Sequence, residues 1–270
     1  MKTQFEKASV IDVHAHIVLK ETFGVAGELG PELGDQDGEI PWFRVGDYRL
    51  DGVRYENSPF MSVDLRLVKM DEAGIDCQVV SPNPLTFLHH IPKELAISFC
   101  RIHNDALSKT ILGQDRLHGF AALPIQDLSA SVEELDRAVK ECGLLGGYIG
   151  TDGPFALDSE EMNILYEKCL ELDVPLFIHP SPAGIDGPKG DKALDKYDLD
   201  VVVGFAAQET LAVARLIFGG VLERFPNIDI CISHGGGSTG YLFGRMEMAA
   251  RKRPWSSSLL KKDGGFAERL

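Results

Sequence analysis

The chain has 270 residues, 44% hydrophobic and 25% charged, enough to bury a full core as one large domain spanning 1–270. Its formal charge of -14 and pI near 5.0 argue against electrostatic capture of nucleic acid or an anionic membrane, because both need clustered Lys and Arg. Five scattered cysteines without a CxxC pair exclude a disulfide framework and a Cys-rich zinc site, and fit a reduced, cytoplasmic setting. "MKTQFEKASV" has no apolar core of signal-peptide length, and no later stretch reaches the roughly 18 unbroken apolar residues of a membrane span.

The first strand candidate is "SVIDVHAHI". Side chains on a strand alternate with period two, which places Asp12, His14 and His16 on one face and Ile11, Val13, Ala15 and Ile17 on the other. Residues 20–61 follow, rich in Gly, Pro and charge but carrying Trp42, Phe43, Tyr48 and Tyr55. A segment this long without helical period is a functional insertion or disordered, and its aromatics favour an ordered lid. Further strands are expected at 75–82, 117–124, 144–150, 174–180 and 228–236, with helical patterns near 63–73, 93–112, 129–142, 158–172, 206–224 and 238–251. A second long connection, 181–204, follows the fifth strand. Arg251, Lys252 and Arg253 form a basic cluster that reads as a solvated helix end.

Strand, helix, strand in steady succession means parallel β-structure with helical crossovers, either a (β/α)8 barrel or a doubly wound open sheet. The polar residues separate the two. "VPLFIHP" and "IDICISHGG" each end an apolar strand on a histidine, and the first strand carries its histidines at the same end. Active sites of (β/α)8 barrels gather at the carboxyl ends of the strands, which closure brings to one mouth.

His14 and His16, two residues apart on a strand, can close on one cation, and His179 can supply a third nitrogen. The imidazole-rich set favours Zn2+, with Mn2+ as the alternative, and no organic cofactor is expected. His234 has two readings, a fourth ligand or an unligated acid/base beside the metal, and the second is preferred. The following "GGG" matches neither a dinucleotide nor a P-loop spacing; close backbone approach explains it better.

"IDVHAHI", "FIHP", "ISHGGG" and "VGFAAQETLAVARLIFGGVLERFPNIDICISHGGGSTGYLFGR" together resemble the metal-dependent decarboxylase branch of the amidohydrolase superfamily. The resemblance implies a (β/α)8 TIM-type barrel with an insertion after strand 1. It implies that His14, His16 and His179 are metal ligands, that His234 is catalytic, and that Arg54, Arg245 and Phe87 contact a small carboxylate substrate. Arg245 would reach a neighbouring subunit's site, making the protein a homodimer. Two guanidiniums would thereby give an acidic protein local purchase on a carboxylate. Three departures stand out. Ser181 and Met61 occupy positions where the family has Trp, and six strands are counted where the fold has eight. The expectation is therefore a barrel lacking its last two β/α units, with an incomplete C-terminus and without the Asp that ends the family's last strand.

The expected activity is metal-dependent, non-oxidative decarboxylation of a small unsaturated or aromatic acid, without an organic cofactor. Its rivals are a hydratase or lactonase of a related dicarboxylate, and a non-catalytic fragment or binding protein.

Overall fold

The computed structural model describes residues 7–34 and 40–270; the remaining residues of "MKTQFEKASV" and of the 20–61 insertion lie outside the described residues. In chain order the elements open with β1 (Ile11–Ile17) and the small strands β2 (Glu32–Gly34), β3 (Trp42–Val45) and β4 (Tyr48–Asp51). The repeating part then runs α1 (Val63–Ala73), β5 (Cys77–Pro82), α2 (Lys93–Ile111), β6 (Leu117–Gly119), β7 (Ala121–Ala122), α3 (Leu128–Lys140), β8 (Gly147–Gly150), α4 (Asn163–Leu172) and β9 (Leu176–His179). It closes with α5 (Phe205–Phe218), the single turn α6 (Val221–Arg224), β10 (Ile230–Ile232) and α7 (Thr239–Lys252).

Two parallel sheets, ordered β1-β5-β6 and β10-β9-β8-β7, meet at Phe120, which interrupts what the sequence reads as one strand. Phe120 N still donates to Val80 O at 3.0 Å and Ala121 N to Gly146 O at 2.8 Å, so the third strand passes the ladder from one sheet to the other. The result is an arc of six parallel strands among the described residues, as expected from the periodicity, and β1 and β10 do not pair with each other. Apolar side chains pack on both faces. Val79, Phe120, Tyr148 and Phe177 fill the interior, while a larger cluster including Val80, Leu107, Leu135, Leu165 and Ile178 lies between strands and helices.

Local signals set the helix ends. Ser62 and Asp127 accept from the Leu65 and Ala130 amides at the starts of α1 and α3, and Gly74 ends α1 in the left-handed conformation. A π-helical turn, Asp200–Gly204, leads into α5. Together they form a segment, Asp200–Phe218, long and apolar enough by length and composition to cross a membrane. Glu209, Ala212, Leu216 and Ile217 of this segment are buried inside the protein, the behaviour of a core helix.

Two features depart from the sequence reading. β1 carries a bulge between Asp12 and Ala15, and the extra residue reverses the alternation, so Asp12 does not share a face with His14 and His16. Asp12 pairs with Gln78 instead and accepts from its amide at 2.7 Å; Gln78 Oε1 in turn accepts from Arg66 of α1 at 2.6 Å. Within the 20–61 insertion, β2, β3 and β4 form an antiparallel sheet not anticipated as strands. Its Phe43 and Val45 pack with Tyr55, Leu85 and Ile185, joining the insertion to the 181–204 connection.

Candidate metal centre

The carboxyl ends of three strands bring four imidazoles together. His14 and His16 come from β1, His179 is the last residue of β9, and His234 follows β10. Ring centroids lie 5.2 Å apart for His14 and His16, 5.0 Å for His14 and His179, and 4.8 Å for His16 and His179. His234 stands 4.7 Å from His14 and 4.9 Å from His179. It is not the end of a strand, as the sequence suggested, but part of a short turn, Ser233–Gly236, at φ 44° and ψ 34°. That left-handed backbone is uncommon for a residue with a Cβ and aims the ring back into the mouth. The glycines behind it permit the turn: a Cβ on Gly237 would lie 2.2 Å from the Ala206 carbonyl oxygen, which is the close backbone approach expected of "GGG".

Hydrogen bonds fix the tautomers. His16 donates Nδ1–H to the Pro82 carbonyl at 3.2 Å, and His179 donates Nδ1–H to the Pro180 carbonyl at 2.6 Å. A carbonyl oxygen only accepts, so each ring keeps its lone pair on Nε2. Burial, reinforced by neighbouring imidazoles, pushes His16 down to about 3 and His179 to about 2; burial and His234 also lower His14. His14, His16 and His179 are therefore neutral at physiological pH. His179 Nε2 is buried with no hydrogen-bond partner in the protein. Ligand atoms of His14, His179 and His234 all lie within 4.8 Å of one another. Neutral imidazoles with Nδ1–H groups tied to backbone carbonyls and free Nε2 lone pairs suit a divalent transition metal.

One site residue was missed in the sequence. Glu209 of α5 is fully buried, and its Oε1 accepts from His234 Nδ1 at 2.7 Å and from the Ser233 hydroxyl. The carboxylate orients the imidazole and leaves His234 Nε2 unengaged; at 42% side-chain exposure this histidine remains open to a substrate. The available signal was an acid within the apolar helix "AAQETLAVARLIF".

The remaining predicted residues are arranged as follows. Phe87 stacks between His89 and Tyr148 at 4.8 and 4.9 Å and reaches the His179 ring at 6.5 Å, so it lines the same mouth. Arg54 is exposed, next to buried Tyr55, whose hydroxyl accepts from Asn83 at 3.2 Å just past the end of β5. Arg245 is exposed on α7. Met61 packs at the edge of the lid cluster, and Ser181, two residues beyond His179, is buried. Arg251 pairs with Asp263 at 2.8 Å, with its neighbours Lys252 and Arg253 exposed.

A sequence profile of the amidohydrolase family matches residues 11–258. The chain belongs to the amidohydrolase family. Among its amidohydrolase relatives, 2-amino-3-carboxymuconate-6-semialdehyde decarboxylase of Dictyostelium discoideum is 30% identical over 255 residues, 90% of this chain and 67% of that one. The apo crystal structure of Metarhizium anisopliae IDCase superposes with a TM-score of 0.74 at 22% identity, over 89% of this chain and 68% of that one. A manganese-bound crystal structure of 5-carboxyvanillate decarboxylase from Novosphingobium aromaticivorans, with a nitrobenzoic acid in place, gives a TM-score of 0.62 at 25% identity over 68% of this chain. It is matched over 53% of its own length, so the chain spans between about half and two thirds of the length of these three proteins. The fold is that of the TIM-type barrels of this family.

Proposed function

We propose that the chain decarboxylates a small unsaturated or aromatic carboxylic acid, non-oxidatively and with a divalent metal. The observation that carries this reading is the meeting of four imidazoles at one barrel mouth, one of them, His234, held by a buried carboxylate. The decarboxylases among the relatives support the reaction class. His14, His16 and His179 would hold the ion, zinc by donor type or manganese as in the carboxyvanillate enzyme, which when bound supplies Lewis-acid polarisation of a substrate oxygen.

The chain's own residues do the rest. Phe87 offers a flat apolar wall to a conjugated ring. Arg54 and Arg245 fix carboxylates, Arg245 from the second subunit of a homodimer; five free cysteines support a reduced, cytoplasmic setting for it. The bond between the carboxylate and its carbon breaks, the electron pair stays with the conjugated system, and carbon dioxide leaves. His234, protonated on Nε2 and steadied by Glu209, returns a proton to that carbon and is recharged from solvent.

Headspace carbon dioxide and substrate absorbance, followed together on a panel of hydroxybenzoates and unsaturated dicarboxylates with metal-loaded protein, test the reading. Carbon dioxide should appear in step with absorbance loss. Absorbance loss without carbon dioxide would mean hydration or hydrolysis instead, and no turnover or binding of any acid would leave a non-catalytic protein.

A further inference from the structure

A second polar group lies on the same side of the mouth as the histidines. Gly150 of β8 is in register with His179 of β9, the last paired positions of the two strands. The Ser181 hydroxyl donates to Asp152 Oδ1 at 3.1 Å, which ties together the segments that leave the two strands. The Asp152 carboxylate is separated from His179 by the stacked rings of His89 and Phe87, since it approaches His89 and Phe87 lies between that ring and His179.

Its direction is fixed as well. A Cβ built on Gly150 would meet the His89 ring at 2.4 Å and Asp152 Oδ1 at 3.1 Å, so glycine leaves the space that ring and carboxylate occupy. Gly150 N donates to His89 Nε2 at 3.4 Å, which assigns the proton to His89 Nδ1, 3.7 Å from Asp152 Oδ1. His89 is buried and stacks on Phe87, the wall of the metal site. Burial works against the Asp152 carboxylate, but His89 and Ser181 hold it on the ionised side of the usual range. Both of these neighbours address Oδ1. No other side chain among the described residues bonds Oδ2.

We infer that Asp152 is a specificity-determining residue that accepts a hydrogen bond from a hydroxyl or amino group on the part of the substrate remote from its reacting carboxylate. This rests on the decarboxylase reading and narrows its substrate class to conjugated acids with a distal donor. An acid without that donor leaves a partly enclosed carboxylate unmatched, and an acid with a second carboxylate there meets like charge.

Calorimetric titration of the metal-loaded chain with 2,4-dihydroxybenzoate and with 2-hydroxybenzoate isolates the distal hydroxyl. The wild type should bind the dihydroxy acid about tenfold more tightly, the scale of one hydrogen bond to a charged acceptor. Asp152→Ala should abolish the preference, whereas Ser181→Ala, which loosens the same loops but keeps the carboxylate, should retain it. Equal binding by the wild type, an unchanged preference in Asp152→Ala, or equal loss in both variants overturns the inference. Binding of both acids without preference overturns it alone; binding of neither overturns the decarboxylase reading with it.

Discussion

Glu209 does for His234 what backbone carbonyls do for His16 and His179: it occupies Nδ1 and leaves Nε2 to the chemistry. A carboxylate also stabilises the imidazolium, so the residue so held is the one suited to move a proton. His234→Asn should therefore retain metal while turnover falls roughly a hundredfold or more, the scale of losing a positioned proton carrier. Loss of metal in that variant would make His234 a ligand, as the 4.8 Å grouping of His14, His179 and His234 also allows. Glu209→Gln should lower turnover about 10- to 100-fold, as removal of an outer-shell partner does, and turnover within twofold of wild type would dismiss its role. The histidines were legible because the ends of apolar strands in a parallel array have a known destination. Glu209 was not, because an acid on a helix reads as solvent-facing, and only the fold shows it turned inward beneath Ser233.

The six strands and their covering helices were readable in the periodicity of the sequence. Asp127 accepts from Ala130 N at 3.1 Å at the start of α3, so Asp127→Ala should cost about 1 kcal/mol, seen as a lower thermal midpoint without loss of metal. The small antiparallel sheet of the 20–61 insertion was not readable, since strands of three or four residues among Gly and Pro are too short to display a period. The bulge in β1 was hidden for a different reason: register belongs to a pair of strands, and "IDVHAHI" alone fits an unbroken alternation. On α2, burial pushes His103 down from 6.5 to about 4. The folded chain thus excludes a proton that the unfolded chain binds, and stability present above pH 6.5 is lost as pH falls toward 4, by about 3 kcal/mol for the whole shift. Urea unfolding at pH 7.5 and pH 5 should show about 2 kcal/mol of this loss, and His103→Leu should reduce it; an identical pH dependence in the variant would contradict the assignment.

At the scale of the molecule, the strand arc curls far enough that β1 and β10, the two ends of the sheet order, present His14 and His234 to each other at 4.7 Å without sharing a ladder. Curvature of the parallel sheet, rather than hydrogen bonding between its ends, assembles the centre among the described residues. A net charge of -14 repels polyanions, so on the proposed reading a small carboxylate would have to be held by individual guanidiniums such as Arg54 and Arg245. All of this converges on one claim: the imidazole cluster is a single-metal decarboxylase centre. Titrating the chelator-stripped chain with zinc or manganese while recording carbon dioxide release from 2,4-dihydroxybenzoate tests it most directly. Release should rise from near zero and break at about one ion per chain, the stoichiometry of a mononuclear imidazole site. Release that is unchanged by stripping, or absent at every metal ratio, would contradict it.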